Sequence, residues 1–167
     1  MNAIAQPMTE DADPQLTRLV ARLRPRSRAA RLAWAVRAAR AWLGTEVRPA
    51  PAGMRRYQAD LRLRVSDRPS LVTFHKAAWV DFGPIHVTDG GWEAEISWRA
   101  STLAPLFPVF SGSISAHDGE LTISGWYSPP GGTVGRLADR ALLHLAAEGT
   151  ARWLLGELDR AAATGPS

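Results

Sequence analysis

An α+β fold, in which a curved antiparallel β-sheet packs on a long C-terminal α-helix and Arg-rich helices precede the sheet, is what this sequence predicts. Three observations predict it. The hydrophobic period switches from about 3.6 to 2 after residue 54. Asp118-Gly119 joins two alternating runs as a tight hairpin. An Ala- and Leu-rich helical pattern then closes the chain, from Thr133 as N-cap to Ala162.

Taken in order, residues 1–13 are polar and aperiodic and read as a disordered tail. Pro14 suits a first helical turn, and Leu16, Leu19, Val20 and Leu23 recur at helical spacing until Pro25 interrupts. A second helix is predicted over Ser27 to Leu43, with Gly44 as its stop signal. These basic helices occupy 14–44, and Pro49 and Pro51 mark a connector.

The sheet is predicted over 54–128. From Tyr57 to Val65 alternation is strict, with Tyr57, Ala59, Leu61 and Leu63 opposed by Gln58, Asp60, Arg62 and Arg64. Leu71 to Phe82 is apolar on both faces, which fits a strand buried on both sides or one that bends. Asp89-Gly90-Gly91 turns into a run alternating Trp92, Ala94, Ile96 and Trp98 with Glu93, Glu95, Ser97 and Arg99. Phe110, Gly112, Ile114 and Ala116 oppose Ser111, Ser113 and Ser115, and Leu121, Ile123, Gly125 and Tyr127 return after the hairpin. Pro129-Pro130-Gly131-Gly132 ends the ladder, because proline donates no backbone hydrogen bond. The final helix is placed at 133–162 and a fraying tail at 163–167, so that 14–162 form one domain.

Composition excludes several function classes. With no cysteine there are no disulfides, thiolate nucleophiles or Cys-type zinc sites, which suits a reducing, cytoplasmic setting. Neither a signal-peptide pattern nor an apolar run of the roughly 18 residues that read as a membrane span is visible. The formal charge of +4 is uneven: residues 1–64 carry 13 arginines against 5 acids, while residues 65–167 carry 7 bases against 11 acids.

The candidate chemistry is sparse. The four histidines, at 75, 86, 117 and 144, show no metal-ligand spacing, although His144 and Glu148 share a helix face. The serines lack a nucleophile elbow, and Asp139, Glu93 and Glu95 come with no spacing that pairs them as acid and base. Gly131 to Gly135 opens a helix after a strand but lacks the Lys-Ser/Thr of a phosphate loop. Clustered arginines before residue 41 are able to neutralise phosphates, yet no recognition-helix motif or stacking platform accompanies them. Seven tryptophans exceed what a core of this size needs, and such faces line a ligand cavity or pack a sheet on a helix.

Leu106-Phe107-Pro108-Val109-Phe110-Ser111-Gly112, the hairpin, Gly125-Trp126-Tyr127-Ser128-Pro129-Pro130-Gly131-Gly132 and Gly135-Arg136-Leu137-Ala138-Asp139-Arg140 lead into a helix through His144, Glu148 and Arg152. This stretch, Trp98 to Leu158, resembles the START-like helix-grip superfamily, also called SRPBCC or polyketide cyclase-like proteins. The resemblance implies a bent sheet wrapped around the terminal helix with a hydrophobic pocket between them. By strand parity the implied ligand-binding set is Trp98, Phe110, Ile114, Ile123 and Tyr127, faced by Leu142, Leu145 and Trp153 on the helix. The family's first strand has no evident counterpart before the basic helices. The sheet edge is therefore expected to be open or borrowed from a partner, as in a homodimer.

The expected function is binding of a small hydrophobic molecule, a lipid or polyketide-like compound, without chemistry and without metal or cofactor. One alternative is an interaction or scaffold protein that docks an acidic partner or nucleic acid through Arg22, Arg26 and Arg31. A further alternative is a cyclase-type enzyme using His144, Asp139 or Tyr127.

Overall fold

Alternating apolar side chains commit five long segments to one antiparallel ladder, and two short strands and one from an unexpected place complete it. The computed structural model describes residues 16–64, 73–102, 107–128 and 140–165. Its elements are β1 (Thr17–Leu23), α1 (Ala29–Arg37), a 3-10 turn (Ala39–Ala41), β2 (Gly44–Val47), β3 (Arg55–Arg64), β4 (Thr73–Phe82), β5 (His86–Thr88), β6 (Gly91–Ala100), β7 (Val109–His117), β8 (Glu120–Ser128) and α2 (Arg140–Thr164). The 8-stranded sheet runs β1-β8-β7-β6-β4-β3-β2, with β5 paired to β6 outside that path. The expected tail over 1–13, the N-cap Thr133, Asp139 and the 131–135 glycines lie outside the described residues.

The helix expected over 14–23 is instead strand β1. Leu19 and Ala21 are buried and Leu23 half-buried, while Arg18, Val20 and Arg22 are exposed, a period of 2. The segment satisfies both periodicities, since Leu16, Leu19, Val20 and Leu23 fit a helix and Leu19, Ala21 and Leu23 fit a strand. A lone helix of this length is marginal in water. Pairing with β8 from Thr17↔Tyr127 to Leu23↔Leu121 decides the matter. The strand expected to be absent or borrowed from a partner is thus supplied from within the chain. The second predicted helix is also shorter than Ser27 to Leu43, ending as α1 at Arg37 and continuing as the 3-10 turn.

The hairpin at Asp118-Gly119 forms as read, with φ of 50° and 75° at the two positions, the positive pair that such turns require.

Curvature follows from which strands the last helix reaches. Helix α2 packs against both β1 and β3, which are separated by β8, β7, β6 and β4. In a flat sheet those strands would be about 24 Å apart at the usual inter-strand spacing, twice a helix diameter of about 10–12 Å. The sheet must therefore curl around the helix.

The helix presents a different stripe from the one expected. Leu143, Ala147, Thr150, Ala151, Leu154, Leu155, Leu158 and Ala162 are buried, whereas Leu145 is 45% exposed and Ala146 is intermediate. Alanine and leucine surround α2 on most sides, so its periodicity selects no face; contact with the sheet does. Thr150 is tolerated at the centre because its hydroxyl donates to the Ala146 carbonyl at 2.8 Å. Near the other end, the Asp159 carboxylate accepts from the backbone N–H of Arg26 and of Ser27, both at 3.1 Å, tying α2 to the turn before α1.

On the convex face, β3 and β4 carry a buried ion pair. Arg56 donates through Nε to Asp81 Oδ1 at 2.8 Å and through Nη2 to Oδ2 at 2.9 Å. Trp79 lies between Arg56 and Arg99, each guanidinium 4.9 Å from its ring centre. That arrangement accounts for the apolar outer side of β4 noted in the sequence.

Candidate functional site

Strand register places four aromatic rings in one line across the concave face. The cross-strand partners run Thr17↔Tyr127, Tyr127↔Phe110, Phe110↔Trp98, Trp98↔Val80 and Val80↔Tyr57. Residues directly opposite in neighbouring strands point to the same face, so Tyr127, Phe110, Trp98 and Tyr57 form a row of rings broken only by Val80. All five are buried. Trp98 and Phe110 stack with ring centres 3.9 Å apart and planes at 14°. Tyr57 meets Phe82 edge-on at 6.3 Å.

Two hydrogen-bonding atoms in this row have no partner among the described residues: Tyr57 Oη and Trp98 Nε1. Buried phenols and indoles ordinarily find one. At the β8 end, Tyr127 Oη lies 3.1 Å from His144 Nδ1 on α2. His144 Nε2 is 4.0 Å from Glu148 Oε2, and Glu148 Oε1 accepts from Arg152 at 2.7 Å. His144, at the Tyr127 end of the row, is itself exposed.

Burial pushes both phenols above the ordinary tyrosine pKa. For Tyr57 burial is the main cause, countered by Arg55 and reinforced by Glu46; for Tyr127 burial is again the main cause, countered by a hydrogen bond with Thr17. The chain holds only these two tyrosines, so the whole tyrosinate signal reports on the row. Below about pH 10 both states keep neutral phenols and stability is insensitive to them. Above it the unfolded chain loses protons that the folded chain retains, so stability falls with rising pH until the folded phenols ionise as well. Spectrophotometric titration is expected to give tyrosinate midpoints above the ordinary value, returning to it in denaturant. A midpoint at or below that value in the folded protein would contradict the burial.

The expected site residues divide. Trp98, Phe110, Ile114, Ile123 and Tyr127 are all buried on the concave face, and Trp153 packs half-buried against the core. Leu145 turns to solvent, and the side chain of Leu142 lies outside the described residues. Tyr57 was absent from that set, although its strand alternation was legible, because only register through β4 reveals that it continues the line from Trp98. Glu93 and Glu95 are exposed and alternate onto the convex face, away from the row. Arg22 is on β1, with Nε 3.5 Å from Glu120, and Arg31 donates to the Gly165 carbonyl at 2.7 Å. Arg26 is exposed in the turn between β1 and α1. No described helix is long and apolar enough to cross a membrane.

No protein-family model and no curated protein matches the sequence. Among solved structures the chain is similar to the di-domain ARO/CYC BexL from the BE-7585A biosynthetic pathway, with 17% identity and a TM-score of 0.51. The match covers 91% of this chain and 52% of that one, so the chain spans about half the length of the di-domain protein. What the two share is the helix-grip fold, a curved antiparallel sheet closed by a long C-terminal helix.

Proposed function

We propose that the protein binds a small hydrophobic ligand, lipid-like or polyketide-like, between the concave face of the sheet and α2, and releases it unaltered. One observation carries the reading: within a row of buried rings, Tyr57 Oη and Trp98 Nε1 lack a partner among the described residues. A buried polar group left unpaired costs about 1–3 kcal/mol. An oxygen acceptor on a ligand, a carbonyl or hydroxyl, would offset that cost at both atoms. The favoured ligand is therefore an apolar body with one or two oxygens, held by Tyr57, Trp98, Phe110 and Tyr127, with Ile114, Ile123 and Trp153 around it. Because Trp98 and Phe110 already touch, the ligand enters by parting α2 from the sheet. The likeness to BexL supports the fold in which such a site is built, and fold alone does not transfer an activity.

The test is a thermal-shift and native mass-spectrometry screen with long-chain ketones, fatty alcohols and aromatic polyketides. At least one is expected to bind and raise the melting temperature. Tyr57→Phe is expected to weaken that binding about tenfold while raising the stability of the free protein by about 1 kcal/mol, since it removes an unsatisfied polar atom. A panel that never binds, or a Tyr57→Phe protein that is less stable and binds unchanged, would end the reading.

The 3.1 Å contact between Tyr127 Oη and His144 Nδ1 favours a second reading, a cyclase-type enzyme. With its Nδ1 protonated, His144 would leave the phenol O–H free to polarise a ligand carbonyl. Recovery of the ligand chemically unchanged supports the first reading. A product lost in His144→Ala supports the second.

A further inference from the structure

We propose a separate binding site for an amphiphile with an oxyanion head, at the end of the sheet beneath the C-terminus of α1. A depression of about 340 Å³ lies there, lined by Arg37, Gly53, Arg55, Phe82 and the turn Gly83-Pro84-Ile85. This is at the lower end of ligand-site volumes, about 300–1,000 Å³. Both charged residues in its lining are arginines. Glu95 on β6 alternates onto the convex face, opposite to the buried Ile96, and its Oε2 lies 3.6 Å from where a Cβ on Gly83 would stand, so one carboxylate borders a lining that holds two arginines. Phe82, Pro84 and Ile85 supply an apolar wall beside those cations, the combination that suits a charged head joined to a hydrocarbon body.

One of the cations is held in place. Arg55 Nη1 donates to the Arg37 carbonyl at 3.0 Å, and its guanidinium stands 5.9 Å from the Tyr57 ring centre. A guanidinium carries five N–H donors, so the contact that fixes Arg55 leaves others for a carboxylate or phosphate. That contact also caps a carbonyl at the C-terminal end of α1, where the helix dipole would otherwise repel an anion. Arg37 sits exposed in the last turn of α1 and completes a two-cation clamp. The site adjoins the Tyr57 end of the ring row, two register positions away, Arg55↔Phe82 against Tyr57↔Val80, with Phe82 edge-on to Tyr57 between them.

Titration of the full chain with decanoate, decyl phosphate, decanol and decyltrimethylammonium, followed by amide NMR, tests the proposal. The backbone amides of Gly53 and Gly83 are the reporters. Saturable shifts at both are expected with decanoate or decyl phosphate, the tighter of the two naming the head group, and none with decanol or the cation. Arg37→Gln and Arg55→Gln are each expected to weaken binding about tenfold, the loss of one charge-assisted contact. Arg37→Gln alters only an exposed side chain, so it keeps the test valid if Arg55→Gln perturbs the fold. Equal shifts with decanol, or affinity unchanged in Arg37→Gln, would overturn it. Shifts confined to Gly112 and Gly125, below the ring row, would overturn this site while supporting the concave-face reading.

Discussion

Gly112→Val is expected to abolish cooperative folding, and Gly112→Ala to cost at least about 3 kcal/mol, the upper range for overpacking a core. Gly112 and Gly125 face each other directly in the β7–β8 ladder. A Cβ on Gly112 would lie 2.2 Å from the Ser124 carbonyl oxygen, 2.6 Å from Gly125 Cα and 2.8 Å from Phe110 Cζ. A Cβ on Gly125 would meet the Ser111 carbonyl oxygen at 2.3 Å and the same Phe110 atom at 2.8 Å. Two of the three obstacles in each case are backbone, which no rotamer change relieves. The bare backbone of this pair lets the Phe110 ring lie down on the sheet and reach Trp98. Urea denaturation followed by far-ultraviolet circular dichroism measures the effect. Gly156→Ala in α2, where an added Cβ meets nothing within 4 Å, serves as the control and is expected to gain up to about 1 kcal/mol. A Gly112→Ala protein as stable as the parent would refute the close seat of Phe110.

Asp81→Ala is the second large effect, a loss of about 3–5 kcal/mol, the range for removing one partner of a buried ion pair. The side chains of Arg56 and Asp81 are only 10% and 5% exposed. Asp81 raises the already high pKa of Arg56, outweighing the burial that lowers it. Arg56 therefore cannot escape by deprotonating, and without Asp81 its partners among the described residues are the Pro49 carbonyl at 3.0 Å and the Trp79 ring. The double variant Arg56→Met with Asp81→Leu is expected to recover most of the loss, because two apolar groups leave no unpaired charge. By contrast Glu148→Ala, which breaks the exposed pair with Arg152, should cost no more than about 1 kcal/mol. Thermal and urea unfolding of the four proteins decides the point. An Asp81→Ala loss comparable to that of Glu148→Ala would show the pair to be solvated.

Much of the architecture was legible because strand parity is a local property. Tyr57, Ala59, Leu61, Trp98, Ile114 and Ile123 all point inward as their alternation requires, and Asp118-Gly119 turns as its chemistry demands. The segment at Thr17–Leu23 was not legible, since its side chains satisfy a helix and a strand equally well. Leu145 was misplaced because α2 is apolar around most of its circumference, leaving no polar face to orient it. The buried Arg56–Asp81 pair was hidden for a related reason: each residue alone looks like an outward strand position, and only their adjacency in register joins them.

Local chemistry by itself determined which segments alternate, where the chain turns and that a long helix ends it, because those properties depend on neighbours a few residues apart. Tertiary structure alone decided that β1 forms the sheet's edge beside β8, which face of α2 turns inward and that Tyr57, Trp98, Phe110 and Tyr127 fall in one line. Those outcomes depend on pairing between residues as distant as Thr17 and Tyr127. Periodicity assigns a side chain to a face, and only inter-strand register assigns it a neighbour.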